Sequence, residues 1–183
     1  MTHALRATVA LVPILLFAAP ATNAAEPAEA PVMTDDQRLH DITAIERAVD
    51  AVYAAISGPA GQPRDFAHMR TLFTPEARLT AIGANGLTGG TLDDYIARSG
   101  ETLVSSGFTE RGLLNRVEVY GDLAHVWSSY EGSFTGPDGS TGSVRGINSF
   151  QLVRQDGRWL VQSIFWQAEA PGRPLPHDMT GEH

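Results

Sequence analysis

The sequence predicts an α+β fold, with helices in the first half of the chain and an antiparallel sheet in the second. Three observations carry this. Ile42, Ile45, Val49, Val52, Tyr53 and Ile56 recur at helical spacing, which puts one apolar stripe on a long helix. From Gly112 to Ala168 the period changes to two, in four runs rich in β-branched and aromatic residues, the pattern of strands. Gly121-Asp122 and Asp156-Gly157 are each a two-residue break between neighbouring runs, the connection that tight hairpins favour. A helix with a single apolar stripe needs a surface to cover, and the meander supplies it.

Residues 1–24 read as a cleavable secretory signal: His3 and Arg6, then ALVPILLFAA, then small residues ending at Ala24. The apolar run is short and broken by Pro13, so it does not suit a permanent membrane span. Cleavage after Ala24 and a periplasmic or secreted location are expected. Residues 25–34 follow as a flexible linker of Ala, Pro and Glu. Thr34 or Asp35 caps the first helix, and Ser57-Gly58-Pro59 ends it. Asp65 caps a short second helix carrying Phe66, Met69, Leu72 and Phe73, stopped before Pro75. ARLTAI (77–82) reads as a short edge strand and the following GANGLTGG as turns. Thr91 and Asp94 form a capping box for a third helix running to about Val104, with Leu92, Tyr95, Ile96 and Leu103 on its buried side. The folded domain is read as residues 35–169, and 170–183 as a flexible tail.

Composition narrows the function. The formal charge of −8 becomes −9 when Arg6 leaves with the signal, a poor match for nucleic acid or an anionic membrane. Neither is read as a partner. There is no cysteine, so disulfides, thiolate nucleophiles and cysteine metal sites are absent. All basic residues are Arg, which removes Schiff-base lysine chemistry. His177 and His183 do not stand at metal-ligand spacing, and the glycine-rich runs lack the phosphate-loop order. No metal and no cofactor is expected.

Two-residue turns set a register. Tyr120 pairs with Leu123, Val117 with Val126 and Asn115 with Ser128. In the last hairpin Gln155 pairs with Arg158, Leu152 with Val161, Phe150 with Ser163 and Asn148 with Phe165. Centring the middle loop near Asp138-Gly139 sets Tyr130 against Asn148. One face then runs from an apolar end (Val117, Val126, Leu152, Trp159, Val161) to a polar end (Asn115, Ser128, Tyr130, Asn148, Ser163, Gln167) with Phe150 and Phe165 among it. Buried polar groups need partners, so the polar end is a hydrogen-bonded network or a lined pocket. The opposite face carries Trp127, Ile147, Ile164 and Trp166 among polar residues, including a His125–Glu118 cross-strand pair. Such a face is covered, by a second subunit or by a tail folded over it.

The order of long helix, short helix, short strand, third helix and meander resembles the nuclear transport factor 2-like, or SnoaL-like, superfamily over about residues 35–169. The phrases GFTERGLLNRVEVYGDLAHVWSSYE and RGINSFQLVRQDGRWLVQSIFWQ carry the resemblance. It implies a cystatin-like cone, in which a strongly curved antiparallel sheet wraps around the long N-terminal helix and two shorter ones and leaves an internal cavity. It also implies a homodimer through sheet surface. Enzymes of this superfamily place acids or histidine on the cavity wall: Tyr with acids in ketosteroid isomerase-like members, His and Asp in dehydratase-like ones, Asp-Arg-Asp in epoxide-hydrolase-like ones.

The polar cluster derived from the register contains no acid or histidine, so binding of a small molecule ranks ahead of catalysis. The alternatives are isomerase, dehydratase or hydrolase chemistry on a polyketide-like, steroid-like or aromatic ligand in the same cavity, and a dimeric interaction module without a ligand. The candidate ligand-binding residues are Tyr53, Tyr95, Asn115, Ser128, Tyr130, Asn148, Ser163 and Gln167. Tyr53 and Tyr95 join because each lies in an apolar helical stripe and carries a hydroxyl that needs a partner. Glu110 and His68 are the possible acid or base groups, Glu110 otherwise forming an ion pair with Arg111 or Arg145 and His68 otherwise lying exposed.

Overall fold

The structure, a computed structural model, describes residues 34–181. The expected signal, the linker up to residue 33, and Glu182 and His183 lie outside the described residues. Helix α1 (Asp35–Ile56) starts at a complete capping box between Thr34 and Gln37 and buries Ile45, Val49, Val52, Tyr53 and Ile56, the stripe visible in the sequence. Helix α2 (Phe66–Arg70) is capped by Asp65. Helix α3 (Leu92–Ser105) opens on the Thr91–Asp94 capping box, with Asp94 as its reciprocal acceptor.

Six strands form one curved, unclosed sheet: β1 (Phe73–Gly83), β2 (Gly86–Thr91), β3 (Thr109–Tyr120), β4 (Leu123–Thr135), β5 (Thr141–Gln155) and β6 (Arg158–Ala168), in the order β2-β1-β6-β5-β4-β3. The turns between β3 and β4 and between β5 and β6 are the two-residue ones. Gly121 has φ 58°, and both Asp156 (49°) and Gly157 (73°) are left-handed, the backbone that these hairpins demand.

Three features of the first half differ from the sequence reading. Phe73 belongs to β1 and not to the second helix, and Pro75 sits inside the strand. The GLTGGT run expected as turns is β2, so β2 is the edge and β1 is internal. Strand β1 runs parallel to β6, a pairing between distant segments that local pattern does not announce.

The β1–β6 pairing explains a shift of register. Ladder contacts stop after Phe73↔Val161 and resume at Arg78↔Ser163. Pro75 has no N–H to give in that interval. Opposite it, Gln162 is an extra residue in β6, because Gln151 pairs with Ser163 while Leu152 pairs with Val161; its side chain takes a 2.8 Å hydrogen bond from Thr74. Beyond this bulge every side chain of β6 changes face. Phe150 pairs with Ile164 and Asn148 with Trp166, so Ile164 and Trp166 point inward, and Ser163, Phe165 and Gln167 outward. Before the bulge the expectation holds, and Trp159 is core.

The core joins the α1 stripe to Val126, Phe150, Leu152 and Val161 on the concave face. Near the start of α1, the buried Asp41 pairs with Arg154 at 2.7 Å, and Arg154 lies 5.1 Å over the Trp159 ring while also pairing with Asp122 at 2.8 Å.

The segment after β6 is packed and not a flexible tail. Leu175 and Met179 are buried, a single 3-10 turn (His177–Met179) ends it, Leu175 N–H donates to Glu169, and Arg116 on β3 bonds Asp178. Its prolines lower the entropy cost of that extended path, and two apolar anchors suffice to hold it on the outer sheet face. Even so, Trp127 and Phe165 on that face remain 39% and 44% exposed.

Candidate functional site

A pocket of about 530 Å³ opens between α1, α3, β1 and the concave face of the meander. Its wall is mostly apolar: Val52 and Ile56 from α1, Leu103 from α3, Leu79 and Ala81 from β1, and Val144, Phe150, Ile164 and Trp166 from the meander. Tyr53, Tyr95, Tyr130, Asn148 and Glu110 put polar groups on it. Tyr53 packs edge-on against Phe150 at 5.9 Å and Tyr95 against Trp166 at 6.1 Å, which fixes both rings. Gly146 is required beside Tyr130, since a Cβ there would stand 2.6 Å from the phenol oxygen.

Glu110 reaches this wall through a second bulge. Gly112 pairs with Tyr130 and Leu114 with Ser129, which leaves Leu113 as the extra residue of β3. Strict alternation from Asn115 would send Glu110 to the outer face. The extra residue turns it, with Gly112, toward the helices. The C-terminus of α1 then holds the strand there, because the Ser57 hydroxyl accepts from Glu110 N–H at 2.8 Å while its own proton lies between Tyr53 C=O at 2.7 Å and Glu110 C=O at 3.1 Å.

A chain of side chains supports the carboxyl. The Asn148 amide donates to Glu110 Oε1 (3.2 Å) and to the Tyr53 hydroxyl (3.1 Å). The same hydroxyl shares a 2.7 Å hydrogen bond with Ser128 Oγ, in which either oxygen can donate. Asn115 Oδ1 lies buried next to this network without a hydrogen-bond partner. Neither Tyr95 nor Tyr130 donates its hydroxyl to another group among the described residues, so both are available to a ligand.

Burial pushes the Glu110 carboxyl up to about 7, against the smaller opposing effect of the Asn148 hydrogen bond. No cation beside it reverses this. Arg111 pairs with Glu131 and Arg145 with Glu169, so the expected ion pair to either is replaced by the Asn148 contact. Burial likewise raises Tyr53, Tyr95 and Tyr130 above the usual phenol range, which keeps all three as donors. Because the Asn148 bond favours the ionised form, Asn148→Ala should raise the Glu110 midpoint further, by up to about one pH unit. Carboxyl-carbon NMR titration reads this directly; an unchanged midpoint would mean that the bond does not bear on the ionisation.

The sequence candidates divide as follows. Tyr53, Tyr95, Tyr130, Asn148 and Glu110 meet on the pocket wall, and Ser128 and Asn115 stand behind Tyr53. Tyr130 is opposite Gly146, and Ser128 opposite Asn148, a two-residue offset that keeps faces unchanged. Ser163 and Gln167 are not in the site: the Gln162 bulge places them on the outer face, where Gln167 lines a separate groove under the C-terminal segment. His68 is exposed on α2 and lies by a shallow depression away from the pocket. Trp166, read from the sequence as outer-face, lines the pocket instead. Among the described residues no group of three or more His, Asp or Glu could hold a metal ion, and no helix is long and apolar enough to cross a membrane.

Comparison with solved structures supports the fold. A protein provisionally assigned as a scytalone dehydratase from Novosphingobium aromaticivorans DSM 12444 superimposes with TM-score 0.61 at 17% identity, over 75% of this chain and 89% of that one. The hexachlorocyclohexane dehydrochlorinase LinA-type3 of Novosphingobium barchaimii LL02 gives 0.61 at 13% identity, over 75% and 92%. The association domain of C. elegans CaMKII gives 0.52 at 18%, over 73% and 98%. Comparison with curated proteins gives no significant sequence match. The SnoaL-like domain family matches residues 37–164; with the helix-filled curved sheet and its side pocket, this chain belongs to the SnoaL-like family.

Proposed function

We propose that this protein is an enzyme that moves a proton on a mostly apolar small molecule, with Glu110 as the acid–base group. The observation that carries the reading is a carboxyl set into an apolar pocket, held by Asn148 and in no ion pair among the described residues, so that it exchanges its proton near neutral pH. That is the property a general base needs. It also reverses the ranking drawn from sequence, which put binding first because no acid stood in the cluster.

In such a step Glu110 takes a proton from a carbon of the ligand. The freed electron pair forms a carbon–carbon double bond, either as a carbonyl oxygen takes the charge or as a neighbouring group leaves. The Tyr130 and Tyr95 hydroxyls are placed to donate to that oxygen or leaving group. Isomerisation and elimination are the two outcomes, and both a dehydratase and a dehydrochlorinase have this fold.

Deuterium exchange tests it. Cyclic ketones, β-hydroxy ketones and alicyclic halides are incubated with protein in D2O and followed by NMR. Exchange or elimination should rise as pH passes through about 7, because the ionised carboxylate is the base, and fall about 10²- to 10⁴-fold in Glu110→Gln. Equal rates in both proteins for every compound class would sink the proposal.

A dimer through the outer sheet face is a second inference, favoured by the exposed Trp127 and Phe165 and by the oligomer-forming role that the name of the CaMKII association domain implies for that neighbour. Phe165→Ser should shift sedimentation toward monomer. Export with loss of residues 1–24 completes the proposal, and the intact mass of periplasmic protein reads it.

A further inference from the structure

We propose that the ligand of this pocket is an organic anion, an apolar body with a terminal carboxylate or sulfonate, and that Arg98 on α3 binds the anionic end. The inference rests on the reading of the pocket as the functional site and adds the class of molecule it takes.

Among the described residues, two charged side chains line the pocket, Glu110 and Arg98. Glu110 is half-buried on β3, whereas Arg98 is exposed on α3, so the pocket is charged at its inner wall and at its rim with apolar surface between. Arg98 makes no ion pair among the described residues. Its one hydrogen bond, to Asp94 C=O, is a long 3.4 Å. Arg70, Arg111, Arg116, Arg145 and Arg154 each face a carboxylate; Arg98 is among the arginines that do not, and it alone of those lines the pocket. Arg98 thus has Asp94 as its charged neighbour on α3 but no ion pair with it, and its guanidinium stands at the pocket.

Its neighbours fit the same role. Ser99 and Thr102 also line the pocket, and on a helix residues 98 and 102 stand one above the other. Neither hydroxyl donates to a protein group among the described residues. A guanidinium fork flanked by two hydroxyls is a site for a planar oxyanion. The opposing wall, Ala81, Ile82 and Gly83 of β1, offers no competing charge. The formal charge of −8 works against an anion at long range, so any preference over neutral analogues has to come from Arg98 at short range.

Two dyes that share one skeleton separate charge from shape. 8-Anilinonaphthalene-1-sulfonate and the neutral N-phenyl-1-naphthylamine differ by the sulfonate, and each is titrated by fluorescence into the mature protein. The sulfonate should bind about fivefold more tightly, an advantage that added salt reduces. Arg98→Gln should erase the advantage without weakening the neutral dye, and Arg98→Lys should restore some of it. An advantage that survives Arg98→Gln overturns the proposal. So does its loss in Arg173→Gln instead, which would put the anion in the groove under the C-terminal segment. If the neutral dye binds and responds to Glu110→Gln while the sulfonate gains nothing, the pocket reading stands and the anionic class falls. If neither dye binds, both fall together.

Discussion

Glu110→Gln is expected to stabilise the folded protein by about 2–3 kcal/mol above pH 8 while lowering the proposed proton-transfer activity about 10²- to 10⁴-fold. The sign follows from the direction of the shift. Burial lifts the carboxyl from the usual 4.5 to about 7 in the folded state, so the folded chain holds a proton that the unfolded chain has already released. Below 4.5 both states are neutral and the group carries no penalty. As pH rises from 4.5 to 7, stability falls, and above 7 the full cost of an ionised, poorly solvated carboxylate is present. Water reaching the open pocket keeps that cost below the value for a sealed core. Glutamine has the same shape, accepts the same Asn148 hydrogen bond and never ionises. Urea unfolding of both proteins should therefore give nearly equal stabilities at pH 5 and a widening gap to pH 9. A gap independent of pH would show that Glu110 ionises as freely folded as unfolded, and the acid–base role would go with it.

The same residue shows where pattern reading stops. Tyr53 was legible because a helical stripe depends only on its own segment, and the Asn115–Ser128 pair was legible because a two-residue turn carries its register along the hairpin. Glu110 was named as a candidate but placed off the polar face. Its true face depends on the Leu113 bulge, and that bulge is matched to the Ser57 clamp from α1, fifty residues away in sequence. Nothing in the run TERGLLN signals it; even Gly112 is not demanded by packing, since a Cβ there would stand 3.4 Å from the Tyr53 ring, an ordinary contact.

Gln162 repeats the lesson on β6. Counting back from Asp156-Gly157 is correct to Leu152↔Val161 and wrong beyond it, because β1 arrives there as a parallel neighbour with Pro75 near its start. From the sequence alone the proline reads as a helix stop. A strand proline next to a bulge is the alternative use of the same residue, and choosing between them needs the distant partner. The C-terminal segment was misread for a related reason: APGRPLPHDM lacks periodicity, yet Leu175 and Met179 are enough to seat it once the sheet face exists.

Arg64 was missed entirely, and its substitution should have the second large effect: Arg64→Met is expected to destabilise the protein by about 4 kcal/mol. The guanidinium is buried without a carboxylate. Instead it donates to backbone carbonyls, from Nε to Ile56 (3.1 Å), from Nη1 to Gln62 (2.5 Å), and from Nη2 to Gly58 (2.5 Å) and Leu103 (2.9 Å), with longer contacts to Pro59 and Phe108. The end of α1 leaves carbonyls without intrahelical partners and presents the negative end of its dipole. Arg64 satisfies that end, the end of α3 and the start of β3 at once. Methionine keeps most of the aliphatic stem and leaves the Ile56, Gly58 and Gln62 carbonyls without this donor, while those of Pro59, Leu103 and Phe108 keep backbone N–H partners; a buried carbonyl left unpaired costs about 1–3 kcal/mol. Lysine keeps the charge but has one nitrogen to share, so Arg64→Lys should lie between. The clamp also stands next to Ser57 and Glu110, so loosening it admits water to the carboxyl and should lower the Glu110 midpoint toward the ordinary range. Urea unfolding and carboxyl NMR titration of Arg64→Met measure the two effects. A variant within about 1 kcal/mol of the parent, with an unmoved Glu110 midpoint, would show that the carbonyls find water as readily as arginine and that the site does not depend on this corner.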